Sequence, residues 1–381
     1  RAKRPKKEKS LLLRPTWAEI DLTAITRNLK NISRKVRRHT KILAIVKANG
    51  YGHGAVEIAR ICEKHRCYLG VALIEEAMVL RKAGIKAPIL ILGSIFPFTN
   101  FKYVLENDLI PTIASLAGAR ALSRLAAKHK QKIKFHLKID TGMGRIGIRP
   151  ATAVATIKKI KAFPCIEMEG LYTHLASAES DEAYSREQIR IFLAIIRELE
   201  RERIKIKYKH VSGSAAILKY REYPFNMVRP GLMVYGIAPF KGAGKKITLQ
   251  PVLSLKTRIV YLKRMPHGNS ISYGRTYITK RNSFIGTLPV GYADGYPWNL
   301  SNKAMVLVQG KRVPVIGRVC MDMCMIDLTG LKGIDVGEEV TLIGRQGQED
   351  ISINEVAQWA KTISYEIACG ISPRVPRIYK S

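Results

Sequence analysis

KILAIVKANGYGHG, residues 41–54, drives an unbroken apolar run into a single cation and then crowds that cation with small residues. Ile42 to Val46 is aliphatic and rich in β-branching, the composition of a strand buried on both faces. Asn49, His53 and three glycines follow Lys47 closely. Glycine and asparagine accept backbone conformations that other residues resist, so they let a chain turn tightly around one side chain. The next stretch, AVEIARICEKH (55–65), carries its apolar residues at helical spacing. The unit is strand, tight turn, helix, with a lysine at the carboxyl end of the strand.

The same unit recurs. YLGVAL (68–73), APILILG (87–93), LIPTIA (109–114), KFHLKI (134–139), EGLYTH (169–174), KHVSGS (209–214) and MVRPG (227–231) are further apolar, strand-like runs. Amphipathic stretches such as IEEAMVLRKAG, LAGARALSRLAAKHK and EAYSREQIRIFLAIIRELERER lie between them. Eight strand-helix units in series predict an α/β fold, a (β/α)8 barrel of parallel strands. A doubly wound open sheet would usually show a Gly-rich strand-to-helix fingerprint, which is missing. After about residue 241 the texture changes to LKTRIVYLKR, SFIGTLPVG, AMVLVQGKRVPVIG, MCMIDLTG and EEVTLIG, strands joined by short Gly-rich turns. These predict a mainly β C-terminal domain, with one late helix announced by the capping-box spacing of Ser352 and Glu355. The expected divisions are a basic extension over 1–13, the barrel over 14–240 and the β domain over 241–381.

Composition narrows the function. With 65 Lys+Arg against 30 Asp+Glu the formal charge is +35, but only RAKRPKKEKS at the start is densely basic. Elsewhere the cations are scattered along helical stretches, and no nucleic-acid-binding motif accompanies them, so no nucleic-acid partner is expected. No apolar run reaches the roughly 18 residues of a membrane span. Six cysteines without a C-x-x-C pair read as reduced thiols, which favours a cytoplasmic address, and Cys320 with Cys324 lacks the further ligands of a metal site.

In a parallel barrel, functional groups gather at the carboxyl ends of the strands. That edge offers Lys47, Lys138 with Asp140, His174, Ser214 and Arg229, each polar and each closing an otherwise apolar run. Singly they have plain alternatives: a core histidine at 174, an ion pair of Lys138 with Asp140. A desolvated lysine, however, forms Schiff bases with carbonyl compounds, which points to pyridoxal phosphate. The loops after strands seven and eight, Ser212-Gly213-Ser214-Ala215 and Arg229-Pro230-Gly231-Leu232, suit its phosphate.

VKANGYGHG, HLKIDTGMGRIG, LYTHLASA, HVSGSAA, VRPGLMVYG, SYGRTY, VGYADGY and GRVCMDM, with the lead-in RPTWAEIDLTAITRNL, resemble in order the signature blocks of the alanine racemase family. The resemblance implies that Lys47 carries pyridoxal 5'-phosphate and acts as base on one face of the substrate Cα. It implies that Tyr273 is the base on the other face, contributed by the partner of a homodimer. His174 would poise that tyrosine and Arg229 would face the pyridine nitrogen. Tyr51, Ser214, Gly231, Leu232 and Tyr365 would hold the phosphate. Arg145 would brace the cofactor's phenolic oxygen, oriented by Lys138, often carbamylated in this family. Arg145, with Met321 and Asp322 from the partner subunit, would border the substrate, and Tyr292 would lie near the entry. The implied activity is interconversion of L- and D-alanine for peptidoglycan. The alternative is a broad-spectrum racemase of longer or basic amino acids, which Met321, Tyr292 and Tyr365 disfavour by narrowing the pocket. One position departs from the family, which commonly has Asn where this chain has Gly213.

The chemistry of that arrangement is coherent on its own terms. An arginine facing the ring nitrogen keeps a proton off it, because two like charges would otherwise meet. That weakens the electron sink and favours return of the proton to Cα over side reactions. A tyrosine, with an ordinary pKa of about 10, needs hydrogen bonds or positive charge nearby to serve as base. An arginine in that position also argues against a barrel-type decarboxylase, in which an acid usually faces the ring nitrogen.

Overall fold

The computed structural model describes residues 13–381, which divide into two compact units, one of Asp21–Val252 and one joining residues up to Ile20 to Leu253–Lys380. The first strand, β1 (Thr16–Asp21), pairs antiparallel with Leu253–Arg258, Thr16 opposite Thr257 and Ile20 opposite Leu253. Residues 14–20, expected in the barrel, therefore belong with the sheet unit. The other expected boundary moves as well, from 240 to 252. The cause is Asn28, buried on helix Leu22–Lys35, whose side chain donates to Val234 O (3.1 Å) and Gln250 O (2.8 Å) and accepts from Gln250 N. These bonds hold the segment past residue 240 against the barrel's first helix.

The barrel strands are β2 (Lys41–Ile45), β3 (Tyr68–Val71), β4 (Ile89–Ser94), β5 (Ile110–Ile113), β6 (Ile133–Lys138), β7 (Ile166–Tyr172), β8 (Tyr208–His210) and β9 (Met227–Val228). They run parallel in the order β8-β7-β6-β5-β4-β3-β2-β9, one for each strand-like run of the sequence. Between β8 and β9 the ladder gives way to single bonds, Asn226 N to Lys209 O (3.2 Å) and Arg229 N to Ser212 O (2.8 Å), so the barrel is nearly closed. Helices alternate with the strands. Helix Glu182–Arg201 is capped by Asp181, which accepts from Tyr184 N, and buries Ile189, Phe192, Ile196 and Leu199 along one stripe.

The other unit is built on a ten-stranded sheet whose ladders from β1 through to Tyr261–Met265 are antiparallel. The late helix spans Ile353–Ala360, with Ser352 accepting from Glu355 N (3.1 Å). Only half of the expected capping box forms, because the Glu355 carboxylate turns to Arg312 instead. Among the described residues no helix is long and apolar enough to cross a membrane.

Candidate active site

β2 hands the chain to Lys47 and then to a left-handed turn. Ala48, Asn49, Gly50 and Tyr51 all have φ between 50° and 61°. L-residues resist this conformation, and successive residues in it are unusual. Three side-chain bonds reinforce its backbone ones: Ala48 N donates to Glu76 Oε1 (2.6 Å), Ala55 N donates to Asn49 Oδ1 (2.9 Å), and His53 Nδ1 meets Tyr51 O (2.7 Å). Lys47 is half-buried at the start of this turn, and Tyr51 is buried against Tyr235.

Beside it, β6 and β9, with the loops that follow them, deliver a cluster of cations, Lys138 and Arg145 from the first and Arg229 from the second. Lys138 is buried, its Nζ 5.6 Å from the centre of the Tyr172 ring. Burial, then Arg145 and Arg229, draws its amine down to about 8. Asp140 does not pair with it. The Asp140 carboxylate instead accepts the backbone N–H groups of Gly142, Met143, Gly144 and Arg145 at 2.8–3.1 Å. Burial opposes its ionisation, but those four donors outweigh it and hold the carboxyl below the usual range. They also shape the loop that presents Arg145.

Arg229, 4% exposed, donates to four neutral acceptors: His210 Nδ1, Thr173 O and Val211 O at 2.8 Å, and His174 Nδ1 at 3.0 Å. Burial lowers it only to about 10, so it stays cationic at neutral pH. Burial and then the charge of Arg229, with Lys138, Arg145 and Lys47 behind it, press His174 down to about 3. An arginine can only donate, so His174 accepts at Nδ1 and keeps its one proton on Nε2. It can offer a hydrogen bond but no charge.

The loops after β8 and β9 are tied by Ser214, whose Oγ accepts from Gly231 N (3.0 Å) and Met233 N (3.3 Å). Tyr51 lies so close to Gly231 that a Cβ there would stand 2.6 Å from its hydroxyl. Leu232 is buried beside them. Gly213 is extended (φ −80°, ψ −171°), and the nearest atom to a Cβ built on it is His174 Cε1, at 3.9 Å. The barrel edge thus brings together Lys47, Tyr51, Lys138, Arg145, His174, Ser214, Arg229, Gly231 and Leu232.

The remaining expected residues lie in the sheet unit. Tyr273 is 74% exposed on a short turn preceded by Ser272 at φ 65°, ψ −175°, a region almost reserved for glycine. Ser272 is held there by its Oγ donating to Arg318 O (2.7 Å). A groove of about 510 Å³ is lined by Ser272, Tyr273, Cys320, Met321, Asp322 and Met323, among others. Arg374 fixes Asp322 at 2.7 Å. Tyr292 is drawn against the same loop by its N–H donating to Cys320 O (3.1 Å). Tyr365 sits half-buried on helix Ser364–Gly370.

Sequence reasoning missed Glu76 and His210. Glu76 is the second of two acids in the first turn of helix Ile74–Lys82, where acids are ordinary, and its only signal was that position. His210 sat in plain view within KHVSGS, ahead of the serine that drew attention.

Comparison with known proteins agrees in both units. Residues 20–239 match the family described as "Alanine racemase, N-terminal domain" and residues 252–379 match "Alanine racemase, C-terminal domain". An alanine racemase of Halothermothrix orenii is 49% identical over 97% of this chain and 98% of its own length. One from Methanococcus maripaludis is 46% identical over 96% and 98%. The solved alanine racemase of Bacillus anthracis with bound L-Ala-P superposes with a TM-score of 0.90 at 40% identity, covering 97% of this chain and 95% of that one. Identity at this level, sustained across both units, makes the chain an isomerase belonging to the alanine racemase family.

Proposed function

We propose that this chain racemises alanine with pyridoxal 5'-phosphate carried on Lys47, using Lys47 and a partner subunit's tyrosine, the residue at 273, as opposed bases in a cytoplasmic homodimer that supplies D-alanine for peptidoglycan. The single observation that carries this is the convergence of Lys47, Lys138, Arg145 and Arg229 on one barrel edge whose carboxylates, Asp140 and Glu76, are taken by backbone N–H groups. Such an edge lacks an anion. Pyridoxal phosphate fits that need: Ser214, Tyr51 and the close-set Gly231–Leu232 backbone for its phosphate, joined in this proposal by Tyr365, with Arg229 for the ring nitrogen and Arg145 for the phenolic oxygen.

When bound, the cofactor draws electrons from Cα and makes its hydrogen acidic. The chain's residues do the rest. Lys47 takes or returns the proton on one face. Tyr273 does so on the other, its phenolate steadied by the Nε2–H of neutral His174 and by the charge of Arg229 behind it. Arg229, already cationic, disfavours a second proton on the ring nitrogen. In this proposal Met321 and Asp322 come from the partner subunit and limit the room for a side chain, with Tyr292 near the entry, and the L-Ala-P held by the Bacillus anthracis relative is consistent with an alanine-sized pocket. Dimerisation is supported by the apolar surface around Tyr273, where Met321 and Met323 are 53% and 47% exposed. The cytoplasmic address is supported by the buried free thiols Cys62, Cys67 and Cys324.

Tyr273→Phe is expected to abolish most turnover from L-alanine while leaving exchange of the α-proton of D-alanine with deuterated water largely intact. Equal loss of both exchanges would refute the two-base assignment. Mixing the inactive variants Tyr273→Phe and Lys47→Ala should restore up to about a quarter of the activity, since half the dimers then hold one complete site. No recovery on mixing would refute the shared site.

A further inference from the structure

We propose that His210 and His136 form a one-directional hydrogen-bond relay through the barrel interior that faces the Glu169 carboxylate at its far end, which locks the histidine tautomers behind Arg229 and supplies the counter-charge its guanidinium lacks at the active-site edge. The direction follows from donor chemistry. Arg229 has only protons to give, so His210 Nδ1, 2.8 Å away, must accept. The one proton of neutral His210 then sits on Nε2 and is donated to His136 Nδ1 at 2.9 Å. His136 in turn carries its proton on Nε2, which faces Glu169 Oε2 at 3.7 Å. Among the described residues these last two atoms have no hydrogen-bond partner, so this last contact is an electrostatic one between a buried N–H and a buried carboxylate oxygen. The other Glu169 oxygen is held by Lys207 (3.0 Å) and Lys134 (3.5 Å).

The fold is built around this line. His136 and His210 are fully buried and Glu169 is 2% exposed. Tyr172 stacks on His210 at 4.7 Å with ring planes 8° apart, which fixes the imidazole plane. The β6–β7 ladder pairs Phe135 with Met168 and then His136 with Gly170, leaving Glu169 as the extra residue of a bulge. Bulges re-aim a side chain, and here the re-aimed one is an acid brought to a buried histidine. Gly170 makes room for it: a Cβ there would stand 2.4 Å from His136 Nδ1. Burial alone would raise the Glu169 carboxyl, but His136 and Lys207 hold it down to about 2, so the relay ends on a full negative charge. His136, His210 and Glu169 are positioning residues: they act on the reaction through Arg229.

The tautomers are independent of the cofactor, whereas the catalytic consequence rests on the function proposed above. The full chain, labelled with 15N-histidine, is examined by NMR at neutral pH with and without pyridoxal phosphate, signals being assigned by single histidine substitutions. His136 and His210 are both expected to be neutral with the proton on Nε2. Either ring protonated on Nδ1, or cationic, overturns the relay. Gly170→Ala, which removes no titratable group, should leave the His210 proton on Nε2 but break its bond to His136 Nδ1, moving the Nε2–H signal toward that of a free imidazole N–H, and an unmoved signal also overturns the relay. Glu169→Gln, loaded with cofactor, should raise pyridoxamine phosphate formed per racemisation about threefold, because Arg229 without its counter-charge donates more strongly to the ring nitrogen. An unchanged ratio refutes the counter-charge role. A chain that binds no cofactor defeats the proposed function, and the tautomers still decide the relay.

Discussion

Arg229 is satisfied by two imidazoles and two carbonyls. A buried charge is costly unless hydrogen-bonded on all sides, and a lysine could not reach four acceptors in one plane. His174 shares in that arrangement and looks across at Gly213, where the family commonly has asparagine. The backbone of Gly213 is in a region open to any residue, and the nearest atom to a Cβ there is at van der Waals distance. Gly213→Asn should therefore fold without strain and gain about 0.4–1 kcal/mol from a stiffer unfolded chain. Thermal melts and racemisation rates check this, with kcat/KM expected to match or exceed the parent. A loss of stability would mean that the glycine is required by something other than its backbone. At this scale the sequence was most readable where a polar residue closed an apolar strand, as Lys47, His174, Ser214 and Arg229 do. Glu76 and His210 were opaque because each occupies a place where its residue type is unremarkable until the fold supplies a neighbour.

The left-handed turn after β2 is the element on which Lys47 depends. Holding Ala48, Asn49 and Tyr51 at positive φ costs roughly 1–2 kcal/mol per residue. Glu76 offsets part of this, because one oxygen accepts from Ala48 N (2.6 Å) while the other accepts from Ala72 N (2.7 Å) and Leu73 N (3.2 Å). One carboxylate thus clamps the Lys47 turn to the end of β3. Glu76→Ala should cost about 1–2 kcal/mol, because charge-assisted bonds to partly exposed donors are lost to water, and weaken pyridoxal phosphate binding about tenfold. Urea midpoints and cofactor titration measure the two effects. Unchanged cofactor affinity would show that the turn holds its shape unaided. The three glycines and the asparagine announced a turn, yet nothing local revealed its hand or its clamp. The eight barrel strands were legible because strands buried on both faces read as continuous β-branched runs. β1 was assigned to the wrong unit because its partner, Leu253–Arg258, lies more than 230 residues downstream. The bulge at Glu169 left no trace in the apolar pattern.

Across the whole molecule, the same buried histidines tie stability to pH. His174 is depressed to about 3, and burial followed by Arg229 carries His210 well below the ordinary imidazole value. His136 is lowered by burial despite the opposing pull of Glu169. A folded value below the unfolded one means that the unfolded chain binds more protons, so stability is complete above about 6.5 and is lost as pH falls beneath it. The lowered carboxyls, Glu169 and Asp140, lose their contribution only at lower pH, beneath the ordinary carboxylate range near 4. Between pH 6.5 and 5 the histidines therefore act alone, each by up to about 1.4 kcal/mol per pH unit. Self-repulsion also grows on acidification in a chain of net charge +35, but about 0.5 M salt screens exposed charges and leaves buried groups largely untouched. In high salt the urea midpoint is expected to fall steadily from pH 6.5 to 5. A midpoint that stays level over that interval would mean that these rings already carry charge in the folded protein, and would undo the neutral assignments on which the proton of His174 depends.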